Sequence, residues 1–225
     1  MSEPILNWRA VLDHGMVRLV DHMGDDQMIV RAARVSYNAA PRNDGSDEKL
    51  IAYLMENKHT SPFEHVIFCF EAKAPIFNFR QWHRHRTWKY NEQSGRYSEL
   101  EECFYVPALD QITTQSTHNK QMRTDEVNEN AAEIQDEIRC ACLESFRSYR
   151  KLLSLGCPRE LARGVLPLNT YSKHFATVDL HNLFGFLRLR LHEHAQFEIR
   201  VYAEAMLDLI RPYVPAAVAA FERTL

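Results

Sequence analysis

FEHVIFCFEAKAPIFNFRQWHRHR, residues 63–86, changes its repeat half-way along. Up to Pro75 the residues alternate, with Val66, Phe68, Phe70 and Ala72 on one side and Ile67, Cys69, Glu71 and Lys73 on the other. That is the period-two signature of a strand with one buried face. Pro75 ends the strand and suits the first turn of a helix, and Ile76, Phe79 and His83 then recur at spacings of three and four. A strand that hands over directly to a helix indicates a mixed α and β chain.

The flanks extend the pattern. Upstream, GMVRLVDHMG alternates Met16, Arg18 and Val20 against Val17, Leu19 and Asp21 and reads as a strand closed by Gly24. DDQMIVRAARVSYN follows as a helix with Met28, Ala32 and Val35 on its apolar face and Asp25 and Asp26 in its first turn. NDGSDEKLIAYLMENKH is a second helix, capped by Ser46, with Leu50, Tyr53 and Leu54 on one side. Downstream, Asn91, Ser94 and Gly95 in NEQSGRY mark a loop.

From Thr124 the longest periodic run carries Val127, Ala131, Ile134, Ile138, Cys142, Phe146, Tyr149 and Leu153 to a stop at Gly156 and Pro158. A short helix at PRELARGVL and a strand at YSKHFATV lead to Asp179, which caps a last helical region from Leu180 to about Tyr213, interrupted near RLHEH. The expected class is α+β: a mostly antiparallel sheet packed with long helices, in one domain over residues 1–225.

Composition narrows the function. The chain has 225 residues, 45% hydrophobic, with a formal net charge of -3, so it can bury one substantial core and has no broad basic face for nucleic acid. MSEPILNWRA lacks a basic region leading into an apolar stretch, and no long apolar run follows, so a cytoplasmic protein without a membrane partner is expected. Cys69, Cys103, Cys140, Cys142 and Cys157 lack C-x-x-C spacing and read as reduced structural residues.

Against that acidic background, RQWHRHRTWKYNEQSGRY, residues 80–97, gathers Arg80, Arg84, Arg86, Lys89 and Arg96 with only Glu92 to offset them. Guanidinium forks donate bidentately to phosphates and carboxylates, whereas the plain alternative is a solvated basic face. Glu92, Gln93, Ser94 and the permissive Gly95 add acceptors, donors and close backbone approach, which favours a nucleotide-sized surface. Ser94 lacks a G-x-S-x-G setting and reads as a hydrogen-bonding serine rather than a nucleophile. His83 with His85, and His192 with His194, resemble metal pairs but cannot share a helical face, and arginines flank the first pair; no metal is expected. His59, in the loop HTSPFEH, is either a core-edge histidine or a ligand-positioning one. Arg188 reads as exposed, because Leu187, Leu189 and Leu191 supply a buried stripe. Arg163 and Arg190 sit among apolar residues and must find either a pocket anion or an internal partner such as Glu193 or Glu198.

Arg84, His85 and Arg86, then seven residues, then Ser94, resemble the signature of the flavin-dependent thymidylate synthases. The likeness continues through RAARVSYN, HTSPFEHVIFCFEAKAPIF, ELARGVLPLNTYS and RLRLHEHAQFEI. The resemblance implies conversion of dUMP to dTMP with methylenetetrahydrofolate as carbon donor, FAD as hydride carrier and NADPH as reductant, in a homotetramer whose sites draw on several subunits. It implies dUMP binding by Gln81, Arg84, Glu92, Gln93, Ser94, Arg96, Arg163 and Arg190. For FAD it implies Ser61, Arg84, His85, Arg86 and Glu92, with His59 organising the flavin and folate region. Arg190 matches the arginine that stabilises N3-ionised uracil, so that no cysteine nucleophile is required. Asp179 and His181 stand where relatives commonly carry Asn-x-Arg, and Gly185 where a polar side chain is common; they are the remaining FAD positions, with Asp179 also suited to a helix cap. The competing expectations are a nucleotide-binding flavoprotein without turnover and a metal-dependent phosphohydrolase.

Overall fold

The computed structural model describes residues 7–37 and 45–225; the amino-terminal MSEPIL, and the Asn38 that ends RAARVSYN, lie outside them. Its strands are β1 (Trp8–Val11), β2 (Gly15–Met23), β3 (Ile67–Pro75), β4 (Lys89–Glu92), β5 (Thr113–Gln115), β6 (Arg123–Val127) and β7 (Tyr171–Asp179). Its helices are α1 (Asp26–Arg34), α2 (Ser46–Glu56), α3 (Ile76–Trp82), α4 (Ala131–Ser154), α5 (Arg159–Ala162), α6 (Leu180–Arg190), α7 (Phe197–Ile210) and α8 (Pro215–Glu222). The expected α+β class is what forms. A five-stranded sheet in the order β1-β2-β3-β7-β4 is antiparallel throughout, and β5 and β6 make a separate two-stranded ribbon.

β3 sits at the centre of that sheet, between β2 and β7, and its side chains alternate as the sequence requires. Val66, Phe68, Phe70 and Ala72 are all buried, while Ile67, Cys69, Glu71 and Lys73 are half-buried on the other face. α6, α7 and α8 contribute Phe186, Tyr202, Met206, Ile210 and Phe221 to the same core. Tyr202 donates from its hydroxyl to the Lys73 carbonyl at 2.7 Å, and a Cβ on Gly15 would lie 2.1 Å from the Tyr202 hydroxyl oxygen, so Gly15 is the residue that lets α7 approach the sheet. A smaller cluster of Phe146, Tyr149 and Ala162 seats the long α4.

Several local expectations change under tertiary packing. α1 buries Ile29 and Val30, while Val35 is exposed, because α2 and the 3-10 turn Ser61–His65 close over the opposite side of the helix from the one expected. Gly45 in the left-handed region, rather than Ser46, precedes α2, whose buried face is Ile51 and Leu54, with Tyr53 exposed. KYNE forms β4 by pairing with β7, although Asn91 and Glu92 were expected in the loop NEQSGRY that breaks the preceding helix, and Thr124–Val127, expected as the start of α4, belong to β6. Asp179 caps α6 and the break near RLHEH separates α6 from α7 as expected; α8 is an additional helix. The cysteines are free, and Cys140 is exposed rather than structural. No helix among the described residues is long and apolar enough to cross a membrane.

Candidate active site

The basic stretch winds out of α3. The first N–H groups of α3, on Ile76 and Phe77, donate to the carbonyls of Thr170 and Leu168, which fixes where the helix starts. After Trp82 the chain continues as a turn, with Arg84 N–H donating to the Gln81 carbonyl and His85 N–H to that of Trp82. Trp82 and Trp88 hold the turn at both ends by burying their indoles, and Tyr90 donates from its hydroxyl to the Trp82 and His85 carbonyls at 3.1 and 3.2 Å. Between these anchors Arg84 and Arg86 are exposed, and no described residue accepts a hydrogen bond from either guanidinium.

Arg190, at the end of α6, is in a different state. It is half-buried, with Nη1 donating to Gln81 Oε1 at 3.3 Å and Nη2 to the Gln81 carbonyl at 3.1 Å, and its buried Nε has no partner among the described residues. Burial lowers its pKa from the ordinary arginine value. The neighbouring His85 is pushed down to about 4, first by burial and then by the charge of Arg190, so it is neutral at pH 7. Neither Glu193 nor Glu198 is the partner of Arg190: Glu193 lies beside His194 and Glu198 binds Arg123 at 3.1 Å. The internal pairing weighed from spacing is therefore replaced by a bond to Gln81.

Residues 92–96 approach Arg163. Glu92 is exposed at the end of β4, and Gln93 N–H donates to the Lys173 carbonyl at 2.8 Å. Gly95 is buried; a Cβ there would come 3.0 Å from Leu100 Cδ1 and 3.3 Å from Arg163 Cδ, so the absence of a side chain lets this loop lie against Arg163. Ser94 Oγ accepts from Arg96 N–H at 3.3 Å, and no base accepts its proton among the described residues. Arg96 forms an open 3.7 Å pair with Glu160 of α5, and both side chains are exposed.

A further set lies on another face of α6. A cavity of about 470 Å³ is lined by Leu54, His59, Thr60, Phe63, His181, Phe184, Gly185, Arg188 and Thr224. A Cβ on Gly185 would meet nothing within 4 Å, so this wall is open. Ser61 is exposed on the adjoining 3-10 turn. Asp179 accepts at both oxygens from Asn182, from its N–H at 2.9 Å and its side-chain amide at 2.7 Å, and so serves as the cap. Arg188 is exposed as expected, although Leu189 is exposed too, and Arg188 donates to Thr224 Oγ1 at 3.0 Å. Sequence reading passed over Arg188 as a lining residue, although its spacing from His181 and Gly185, seven and three positions, places it on their face. Among the described residues no group of three His, Cys, Asp or Glu side chains is placed to hold a metal ion.

Three comparisons bear on this arrangement. The family profile described as "Thymidylate synthase complementing protein" matches residues 18–216. A flavin-dependent thymidylate synthase of Treponema denticola is 51% identical over 217 residues, 95% of this chain and 81% of the relative. That of Thermus thermophilus is 51% identical over 220 residues, covering 96% and 78%. The chain belongs to the flavin-dependent thymidylate synthase family. A crystal structure of the UMP/dUMP methylase PolB of Streptomyces cacaoi bound with 5-Br dUMP superposes with a TM-score of 0.87 at 35% identity, covering 96% of this chain and 97% of the other. As a flavin-dependent thymidylate synthase, this protein is a methyltransferase.

Proposed function

We propose that the protein reductively methylates dUMP to dTMP, taking the carbon from methylenetetrahydrofolate and the reducing equivalents from NADPH through bound FAD. It acts as one domain over residues 1–225, assembled as a cytoplasmic homotetramer. The observation that carries this reading is the pairing of a half-buried guanidinium, Arg190, held in place by Gln81, with the guanidiniums of Arg84 and Arg86 on the adjoining turn, which have no partner among the described residues. Ser94 and Arg96, on the loop after β4, add a second polar group beside Arg163, whose Cδ would lie 3.3 Å from a Cβ on the intervening Gly95.

In this reading Arg84, Gln93, Ser94, Arg96 and Arg163 hold the phosphate and sugar, and Gln81 and Glu92 contact the nucleotide. Arg190 lies against the uracil. Uracil C5 is a poor nucleophile, and a fixed cation in a partly desolvated site favours the N3-ionised ring, raising electron density at C5 without covalent attack. Three of the five cysteines are placed consistently with that route: Cys69 is in β3, where it accepts from the Thr177 hydroxyl, and Cys140 and Cys142 are on α4. Neutral His85 adds no competing positive charge beside Arg190.

The residues present fit a flavin nucleotide. Phe63, Phe184 and Leu54 offer apolar walls for a flat ring, His59, His181 and Ser61 lie at or beside the rim, Gly185 leaves room, and Arg84, His85, Arg86 and Glu92 offer groups for the polar tail. Asp179 supports this wall by starting α6. A bound flavin supplies two-electron chemistry, carrying reducing equivalents from NADPH to the one-carbon unit that becomes the methyl group. Because the cavity and the basic turn use different faces of α6, a tetramer that brings one subunit's turn to another's cavity would complete the site.

The test is tritium release from C5-labelled dUMP together with dTMP formation, run with methylenetetrahydrofolate and NADPH while the flavin spectrum is followed. Flavin bleaching with tritium release supports the reading; bleaching with nucleotide binding and no release assigns the chain to the binder without turnover.

A further inference from the structure

Behind Arg190 runs a series of hydrogen bonds with a fixed polarity. Arg190 Nη1 donates to Gln81 Oε1, Gln81 Nε2 donates to Gln196 Oε1 at 2.5 Å, and Gln196 Nε2 donates to Glu198 Oε2 at 2.9 Å. The other oxygen of Glu198 accepts from the Tyr105 hydroxyl at 3.2 Å and from Arg123 at 3.1 Å. Glu198 is 3% exposed, and its backbone carbonyl accepts from the buried Asn78 amide, which ties the start of α7 to α3.

Gln196 is exposed and Glu198 buried, and the two ends set the sense of the direct bonds between them. A guanidinium has donors only and a paired carboxylate has acceptors only, so each intervening amide satisfies both neighbours in one orientation and in the other sets donor against donor or acceptor against acceptor. We propose that Glu198 is a positioning residue for the uracil chemistry. As the buried acceptor that ends the series, it turns the Gln81 carbonyl toward Arg190 and leaves one Gln81 N–H as a donor to a carbonyl of the bound base. This rests on the dUMP reading of the site.

The inference makes a directional prediction for Glu198→Gln. The new amide keeps its oxygen toward Tyr105 and Arg123, which are both donors, and so turns its NH2 group toward Gln196. Gln196 must then present its oxygen to position 198 and its NH2 to Gln81, and Gln81 in turn faces Arg190 with a donor. The double variant Glu198→Gln with Gln196→Glu moves the acceptor-only group one step closer to Gln81 and restores the original sense of the chain.

The experiment measures N3 ionisation of bound 5-bromo-dUMP by ultraviolet difference titration of the holoenzyme, alongside kcat and KM for dTMP formation. Glu198→Gln is expected to raise the bound N3 pKa by about one unit and to lower kcat roughly tenfold to a hundredfold with a smaller change in KM. The double variant should recover both to within about threefold. If Glu198→Gln does not fold, Gln196→Leu, which leaves Glu198 with Arg123 and Tyr105, should still raise the N3 pKa. An unmoved titration in folded Glu198→Gln or in Gln196→Leu, or equal impairment of the single and double variants, overturns the positioning role. A wild-type chain that makes no dTMP overturns the dUMP reading itself, a failure distinct from the other outcomes and one that removes this inference with it.

Discussion

Arg190 and the pair Arg84 and Arg86 belong to one cationic neighbourhood yet are prepared in opposite ways. Arg190 is half-buried, desolvated and tied to Gln81 at two points, whereas Arg84 and Arg86 are exposed and have no protein partner among the described residues. A guanidinium fixed before the substrate arrives loses little freedom on binding and acts in a low dielectric, which suits stabilising charge that develops on a ring. Exposed forks gain their partners only when an anion arrives, which suits capture and orientation. Under the proposed function, holding and activating are separated within a few residues of α3 and α6.

The contrast is most strongly broken at Arg190. Arg190→Ala is expected to lower dTMP formation by about a thousandfold while flavin stays bound, read by C5 tritium release against the visible spectrum. Unimpaired turnover would remove Arg190 from the chemistry. Arg84→Ala and Arg86→Ala should instead weaken nucleotide or flavin retention by roughly tenfold to a hundredfold, the cost of one charge-assisted contact. Binding in the wild type should fall with added salt for the same reason, and an affinity insensitive to both changes would count against these residues.

A smaller effect sharpens the role of burial. His85 is held down to about 4 and His174 to about 3, in both cases chiefly by burial, from an ordinary 6.5. Between those values the unfolded chain binds more protons than the folded one, so stability is complete above pH 6.5 and declines as the pH falls toward 4. Thermal melts should show that decline, and His174→Phe should flatten it; a melting temperature constant from pH 7 to about 4 would contradict the assignment. The smallest effect belongs to Arg96. Its 3.7 Å pair with Glu160 is open to water, so Arg96→Gln should change stability by no more than about 0.5 kcal/mol while raising KM for dUMP.

How much of this could be read from the chain depends on the range of the forces involved. The alternation before Pro75, the helix after it, the Asp179 cap and the break between α6 and α7 are set by residues a few positions apart, and the structure agrees with each. β4 and β6 were not legible, because their strand character comes from Ala176 opposite Tyr90 and Thr113 opposite Val127, neighbours far away in sequence. The apolar face of α1 was misplaced because its covering partners are the turn Ser61–His65, α2 and α8. In the site, the arginines stood out by residue type. Gln196 and Glu198 did not, since a glutamine and a glutamate on a helix are ordinary until Gln81, Tyr105 and Arg123 are brought to them.

The sequence by itself determined the family, the strand-to-helix switch at Pro75 and the chemical types available for anion and pyrimidine recognition, because motif spacing and local periodicity survive without knowledge of distant contacts. Only the tertiary structure decided which guanidinium is tied and which are left open. That choice depends on desolvation and on hydrogen-bond partners as far apart in the chain as Gln81 and Arg190, and burial is a property of the folded packing rather than of any stretch of residues.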